Sequence, residues 1–441
     1  MQKRQLLLYF TLVFFAYGCA PSADSTSQIS TYILPQRPTH SEAILNRDLP
    51  YQQDPRISYC EMTENNNSTY SGFRDLELEP LASLSKVITS AWAVEQLGLD
   101  HRFTTNIYLN PIDYELGVFD VYLSTNADPI VNIEKLLFYL SEMNQSGVRR
   151  IRNLVVDEST HIYLSVLANP HIELNQVPVA TEESQKGLNL IFNSKNWGER
   201  TKAAREHLTT WAAKNNKVLQ IPNQFSVDNI SVKTAAKIDL QKYAVKKTLT
   251  SAPLFKYLKN MNVYSNNYLA DALFAKLGGV AGFKKFQKNT LKLSDKEMQI
   301  YTGSGLEDST SGSRLDNRGS CFAMLKVLSY FKNKMIEANL NLGFVLLNPT
   351  QDTDGTIDQD QKYANSVVLK TGRLFEVTAM NLAGYVSTAK GVVTFVYLAH
   401  DFKASESAEM EASRSEMLMS IYSNYPTRSD FVSTEYSDLF L

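Results

Sequence analysis

The chain is poor in the residues that build metal centres. Its 441 residues hold 3 cysteines and 6 histidines, and His40, His101, His161, His171, His207 and His400 stand singly, with no HExxH and no CxxC. Zinc sites draw on closely spaced imidazole and thiolate ligands, so this pattern argues against a zinc enzyme. An excess of one charge is missing too. The 44 Lys and Arg against 46 Asp and Glu leave a formal charge of -2, which gives no global basic field to draw in nucleic acid. Beyond the amino terminus no run reaches the ~18 apolar residues of a membrane-spanning helix, and no solenoid period recurs. What is present is an ordinary globular balance, 44% hydrophobic and 20% charged, in a chain long enough for about two to four domains.

The amino terminus opens on Gln2-Lys3-Arg4-Gln5 and continues as an apolar run from Leu6 to Tyr17. About a dozen apolar residues are too few to cross a bilayer but suit a signal-peptide core. Ala16-Tyr17-Gly18-Cys19-Ala20 then sets small residues at a cleavage point with a cysteine after it. That resembles a bacterial lipobox, although Tyr17 is bulkier than the usual residue there. The expectation is a signal peptide over 1–18, lipid on Cys19, a Ser/Thr/Pro-rich tether over 19–40, and an exported, periplasmic chain that meets the membrane through its anchor alone. An ordinary secretory signal with a chance cysteine is the alternative. Cys60 and Cys321 remain, and they either pair as a disulfide or stay as two buried thiols.

Strand-like content predicts a strand over 56–62, followed by a turn at 65–68. Leu84, Val87, Ile88, Ala91 and Trp92 recur at helical spacing, and Gly98 suits a stop, which predicts a helix over 83–97. A middle block mixes strands (118–123, 153–156) with helices (133–143, 200–214). A helix over 268–277 ends at Gly278-Gly279. Three strands, 366–370, 379–385 and 391–398, read as an antiparallel meander, and a helix over 405–422 follows. The fold class is α+β.

Three short motifs carry chemistry. Ser83-Leu84-Ser85-Lys86 puts a hydroxyl and an amine on one face of a helix. A lysine used as a base must be neutral part of the time, which calls for burial or a neighbouring cation. Alone the motif is weak, since it recurs at Ser329–Lys332 in a helical run and at Ser387–Lys390 in an expected turn. Ser265-Asn266-Asn267 gives SxN just ahead of a helix, a pattern repeated at Ser124 and Ser194. Lys370-Thr371-Gly372 occurs once, at the end of an apolar strand, where glycine lets a substrate backbone approach. A turn with an exposed lysine is its bland alternative.

In this order the three are the set of serine β-lactamases and penicillin-binding proteins. Ser265 lies 182 residues after Ser83, and Lys370 lies 105 after Ser265. The first interval requires a domain inserted between nucleophile helix and SxN. With that insertion the chain resembles the class C, low-molecular-mass penicillin-binding proteins, the D-alanyl-D-alanine carboxypeptidase/endopeptidases. Similar stretches include Leu99-Asp100-His101-Arg102, Ala127-Asp128-Pro129, Gly303-Ser304-Gly305-Leu306, Asp316-Asn317-Arg318 and Asp354-Gly355-Thr356. The likeness runs from about residue 45 to 400, with little pattern over 165–242.

The resemblance implies a transpeptidase/β-lactamase-like domain, an antiparallel sheet flanked by helices plus a helical subdomain, in two parts (41–105 and 243–425). An inserted domain over 106–242 and a tail over 426–441 complete it. The catalytic residues are then Ser83 as nucleophile, Lys86 as its base, and Lys370 as the neighbouring cation that helps keep Lys86 neutral. With them act Ser265 as proton relay and Asn267 as the hold on a substrate amide or on the Lys86 side chain, while Thr371, Gly372 and Arg373 bind substrate. Backbone N–H groups of Ser83 and Arg373 form the oxyanion hole. The implied partners are peptidoglycan stem peptides and acylating β-lactams, with no metal or organic cofactor. Arg373 stands where the family usually has Thr or Ser, and as a bidentate cation it either binds the substrate carboxylate or redirects the enzyme to internal cross-links. Two competitors remain. Glu337-Ala338-Asn339-Leu340-Asn341 fits the ExxLN of a β-lactamase, and a non-catalytic envelope lipoprotein that kept the fold would carry the same motifs. His101, Trp92, Tyr264 and Tyr268 read as structural residues.

Overall fold

The structure, a computed structural model, describes residues 52–64, 69–163, 182–310, 312–353, 355–357, 359–375 and 377–434. The expected signal peptide, Cys19 and the turn at 65–68 lie outside them. The chain opens with β1 (Ile57–Glu64), β2 (Thr69–Phe73) and β3 (Glu79–Pro80), then α1 (Ser85–Leu97). Next come β4 (Arg102–Asp113), β5 (Val118–Ser124), α2 (Ile133–Gln145), β6 (Arg150–Asp157), α3 (Glu182–Phe192), α4 (Glu199–Lys214), β7 (Ser226–Lys233) and β8 (Val245–Pro253). A helical stretch follows, with α5 (Leu254–Val263), α6 (Asn267–Lys276) and α7 (Gly279–Asn289), then the short β9 (Met298–Gln299) and β10 (Arg318–Gly319) and the long α8 (Cys321–Glu337). The meander β11 (Val367–Leu374), β12 (Ala379–Thr388) and β13 (Gly391–Ala399) precedes α9 (Ser407–Asn424).

Two five-stranded sheets organise these elements. The first has the order β11-β12-β13-β1-β2, antiparallel throughout, with Lys370 opposite Ala383 and Cys60 opposite Val396. Side chains alternate across a strand. One face of this sheet packs Val367, Leu369, Met380 and Leu382 against Met410, Met417 and Leu418 of α9. The opposite face carries α8, where Cys321 forms a disulfide with Cys60, so the thiols left open by the sequence are paired. The second sheet, β7-β6-β5-β4-β8, is mixed, with β5-β6 and β6-β7 parallel. It spans Arg102–Pro253, a stretch that contains the expected 106–242, and it owns a core that includes Ile107, Val121, Leu136 and Phe192.

The helical layer joins the two. Trp92 of α1 is 1% exposed and meets Phe274, Phe283 and Phe286 edge-on or stacked; full burial of such a side chain contributes about 3 kcal/mol. Lys135 of α2 donates to Asp128 at 2.5 Å and to the Tyr257 hydroxyl of α5 at 2.8 Å. This buried pair ties the second sheet to the helices that carry SxN. His101 packs edge-on against Phe103, and Tyr268 is buried, as structural roles require. Among the described residues no helix is long and apolar enough to cross a membrane.

Candidate active site

Ser83 does not begin a regular helix. It sits in a 3-10 turn, Ala82–Leu84, and α1 starts two residues later. Ala82 has φ 48°, a left-handed conformation that costs an alanine energy and is held by its neighbours. Gly305, at φ 87°, lies so close that a Cβ there would fall 1.8 Å from the Ala82 carbonyl oxygen. Two asparagines brace the strand that leads in. The Asn381 amide donates to the carbonyls of Pro80 and Leu81 at 2.8 and 3.1 Å. Asn317 donates to Ser85 Oγ at 2.9 Å, and its carbonyl accepts the Leu81 N–H at 2.9 Å.

One helical turn on, Lys86 is fully buried. Its Nζ lies 2.9 Å from Ser83 Oγ, 2.7 Å from Asn267 Oδ1 and 2.8 Å from the Ser304 carbonyl. Burial drives this amine down from its ordinary value to about 7, against the opposing pull of the Asp271 carboxylate. Asn267 opens α6 behind the Asn266 cap, whose side chain accepts the Leu269 N–H. Ser265, at φ 56°, turns into the site just ahead of that cap. Its Oγ lies 3.1 Å from Lys370 Nζ on β11. Lys370 is also fully buried, and burial first, then the Lys86 charge, holds it well below the ordinary lysine range.

All three motifs therefore meet. Lys370-Thr371-Gly372 lies inside β11, which continues to Leu374, rather than at a strand end. Gly372 also has a reason beyond substrate approach, because a Cβ there would meet the Leu81 carbonyl oxygen at 2.9 Å. Thr371 and Arg373 project on the α9 face. Thr371 Oγ1 bonds Thr356 Oγ1 at 2.6 Å, while the Arg373 guanidinium donates to Ser407 Oγ at 3.1 Å and stacks over Phe375. The other SxxK copies fall elsewhere. Ser329 is buried within α8, and Ser387 lies in strand β12 rather than in a turn, bonded to Asp430. Glu337 is half exposed and pairs with Lys334 at 3.3 Å, and Asn341 caps a 3-10 turn.

Two participants escaped the motif reading. The Ser304 carbonyl is a backbone group, invisible to residue types. Asp271 accepts the Ser304 N–H at 2.8 Å, with its own acidity weakened by burial. Its signal was available, since it lies four residues after Asn267 and so on the same helix face.

The sequence matches the D-Ala-D-Ala carboxypeptidase 3 (S13) peptidase family over residues 57–169 and 189–420, most of the chain. The chain belongs to that family. The S13 match breaks within the stretch where little family pattern was legible. A D-alanyl-D-alanine carboxypeptidase of Actinomadura sp. (strain R39) is 36% identical over 80 residues, a match spanning 18% of this chain and 15% of that relative's length. Among solved structures, the predatory endopeptidase Bd0816 of Bdellovibrio bacteriovorus, in complex with the immunity protein Bd3460, has 28% identity and a TM-score of 0.75. That match covers 87% of this chain and 98% of the other. Penicillin G-acylated Bd3459 endopeptidase of the same organism, also with Bd3460, has 25% identity and a TM-score of 0.73, covering 86% and 96%. The expected family and the α+β fold of an S13 peptidase are thus borne out.

Proposed function

We propose that this S13 family member is a serine DD-peptidase that cleaves D-alanyl peptide bonds in peptidoglycan stem peptides or their cross-links through an acyl-enzyme on Ser83, and that penicillin acylates the same serine. The observation that carries this is the buried Lys86, with its pKa brought to about 7, set 2.9 Å from Ser83 Oγ. Neutral Lys86 keeps two N–H donors for Asn267 and the Ser304 carbonyl and turns its lone pair to the Ser83 hydroxyl. Ser83 Oγ attacks the D-alanyl carbonyl as its proton passes to Lys86. Ser265, poised by Lys370, relays that proton from Lys86 to the departing amine, so that Ser265 ends as a hydroxyl and Lys86 is neutral again for the hydrolytic step. The Ser83 and Arg373 amides hold the oxyanion; such donors are worth about 100- to 1000-fold in rate. Water then attacks the acyl carbon and frees Ser83. The penicillin-acylated relative supports the β-lactam part of the reading.

Fluorescent penicillin labelling of wild type beside Ser83→Ala tests it. Stable labelling is expected, absent in the variant. The acylation rate should rise with pH to a plateau, with its midpoint near 7, because the neutral amine is the active form. No labelling of folded wild type would overturn the reading, and label lost within seconds would point to a β-lactamase instead. The proposal extends to location: an exported chain, lipid-anchored through Cys19 in the periplasm. Palmitate incorporation in cells, lost in Cys19→Ala, is the expected outcome; incorporation by neither form refutes the anchor.

A further inference from the structure

A lysine outside the three motifs ties them together. Lys259 of α5 is fully buried, and its Nζ donates to the carbonyls of Gly343 and Leu346 at 2.8 and 2.6 Å and to Asp352 Oδ2 at 2.6 Å. An ammonium has three donors, and each has a partner here. Asp352 is buried in turn. Its Oδ2 also accepts the Asn348 N–H at 2.7 Å, and its Oδ1 accepts the Ser433 hydroxyl at 2.6 Å.

The segments that this pair fixes lead to catalytic groups. Ser265 follows α5 by two residues, and the turn between them is closed by the Asn266 N–H on the Met261 carbonyl at 3.0 Å and by the Asn266 side-chain amide on Asn260 Oδ1 at 3.2 Å. The 343–352 loop passes beside β11, where Leu347 and Leu369 exchange N–H to carbonyl bonds at 3.2 and 2.9 Å, one residue before Lys370. A third link runs to the nucleophile helix. Asn262 donates to the Val345 carbonyl at 2.9 Å and to Ser90 Oγ of α1 at 3.1 Å, and Ser90 Oγ in turn donates to the Lys86 carbonyl at 2.7 Å.

Stability alone is a poor reason for such a pair. Taking two charges out of water is costly, and a well-packed apolar pair of similar size is often as stable or more so. What the pair does to geometry is specific. It joins α5, which leads into Ser265, to the loop that pairs with β11, which carries Lys370. The 3.1 Å contact between Ser265 Oγ and Lys370 Nζ spans those two segments. In the proposed mechanism the Ser265 hydroxyl must keep that place to pass a proton to the leaving amine, and misplacement by an ångström costs such a step about 100-fold.

We propose that Lys259 is a positioning residue for the proton relay, holding α5 against the 343–352 loop so that Ser265 Oγ stays within reach of Lys370 Nζ. The inference rests on the DD-peptidase reading and adds to it a residue that acts only through Ser265.

The test separates bond breaking that needs the relayed proton from bond breaking that does not. In penicillin the C–N bond breaks and the departing nitrogen must take a proton. In an N-acyl-D-alanyl thiolester the C–S bond breaks and sulfur leaves with the electron pair as a thiolate. On the full chain, Lys259→Met should slow penicillin acylation about 100-fold and thiolester kcat/KM far less, so that the ratio of the two rises more than about 10-fold. Ser265→Ala should show the same split. Should Lys259→Met fail to fold, Lys259→Met/Asp352→Asn, which removes both buried charges and keeps an acceptor for the Asn348 N–H, should show it instead. With the Ser265→Ala split in place, equal losses on both substrates, a larger loss on the thiolester, or no loss on either overturns the inference and leaves the DD-peptidase reading standing. So does a wild type that takes penicillin but not the thiolester, since a leaving group that needs no proton should be the easier one. A wild type that takes neither fails the reading itself, and Ser265→Ala without the split fails its relay step; this inference falls with either.

Discussion

Lys86 is held by three acceptors, Ser83 Oγ, Asn267 Oδ1 and the Ser304 carbonyl. As an ammonium it satisfies all three; as an amine it must accept from one of them, and only the serine has a proton to give. The site thus tolerates both protonation states with no rearrangement, and burial sets the balance near neutrality. Asp271 pulls the other way, favouring the charged lysine. Asp271→Asn keeps an oxygen for the Ser304 N–H and removes the charge, so the acid limb of the penicillin acylation profile should move below 7. An unshifted midpoint would show that Asp271 acts on geometry alone. At this scale the sequence was legible where chemistry follows residue type: Ser83, Lys86, Ser265, Asn267 and Lys370 all converge. A backbone carbonyl and a remote carboxylate leave no such mark.

The nucleophile turn is built by elements distant in the chain. The Gly303–Gly305 loop closes on Ala82, β12 reaches back with Asn381, and Gly372 of β11 lets the Leu81 carbonyl approach. Sequence periodicity foretold most of α1, α6 and the meander, yet it ran the helix through Ser83. A 3-10 turn with a left-handed Ala82 has no helical-wheel signature, since contacts across the fold impose it. Gly305→Ala combines a positive φ with a Cβ 1.8 Å from a backbone oxygen that cannot move without moving Ser83. Penicillin acylation should fall at least about 100-fold, more than a loss of packing alone would take, given that misplacement by an ångström costs that much. Near-wild-type acylation would mean that the Ala82 turn is free to shift.

Across the whole molecule, one covalent link and one tail hold the first sheet to its surroundings. The Cys60–Cys321 disulfide joins β1 to the start of α8 across 261 residues of sequence, and α8 packs on α1. Closing so long a loop restrains the unfolded chain, which on an entropic account stabilises the fold by about 2–5 kcal/mol. The Cys60→Ser/Cys321→Ser double variant should melt several degrees lower than oxidised wild type, and reductant should bring wild type down to it. Equal melting temperatures would show that the link adds nothing. The end of the described chain is bound as well: the Arg428 N–H reaches the Ser387 carbonyl at 3.0 Å, the Phe431 N–H reaches that of Asn365 at 3.0 Å, and Phe431 is buried.

By itself the sequence determined the three-motif chemistry, the need for an insertion, the antiparallel meander and the order of the parts. These follow from residue type, spacing and periodicity, which are local. Only the tertiary structure decided that Cys60 and Cys321 pair, that Ser387 belongs to a strand, that Lys86 is buried enough to lose its proton near neutrality, and that Lys259 ties α5 to the loop beside β11. Burial, desolvation and long-range contact are properties of the packed chain, and no window of sequence contains them.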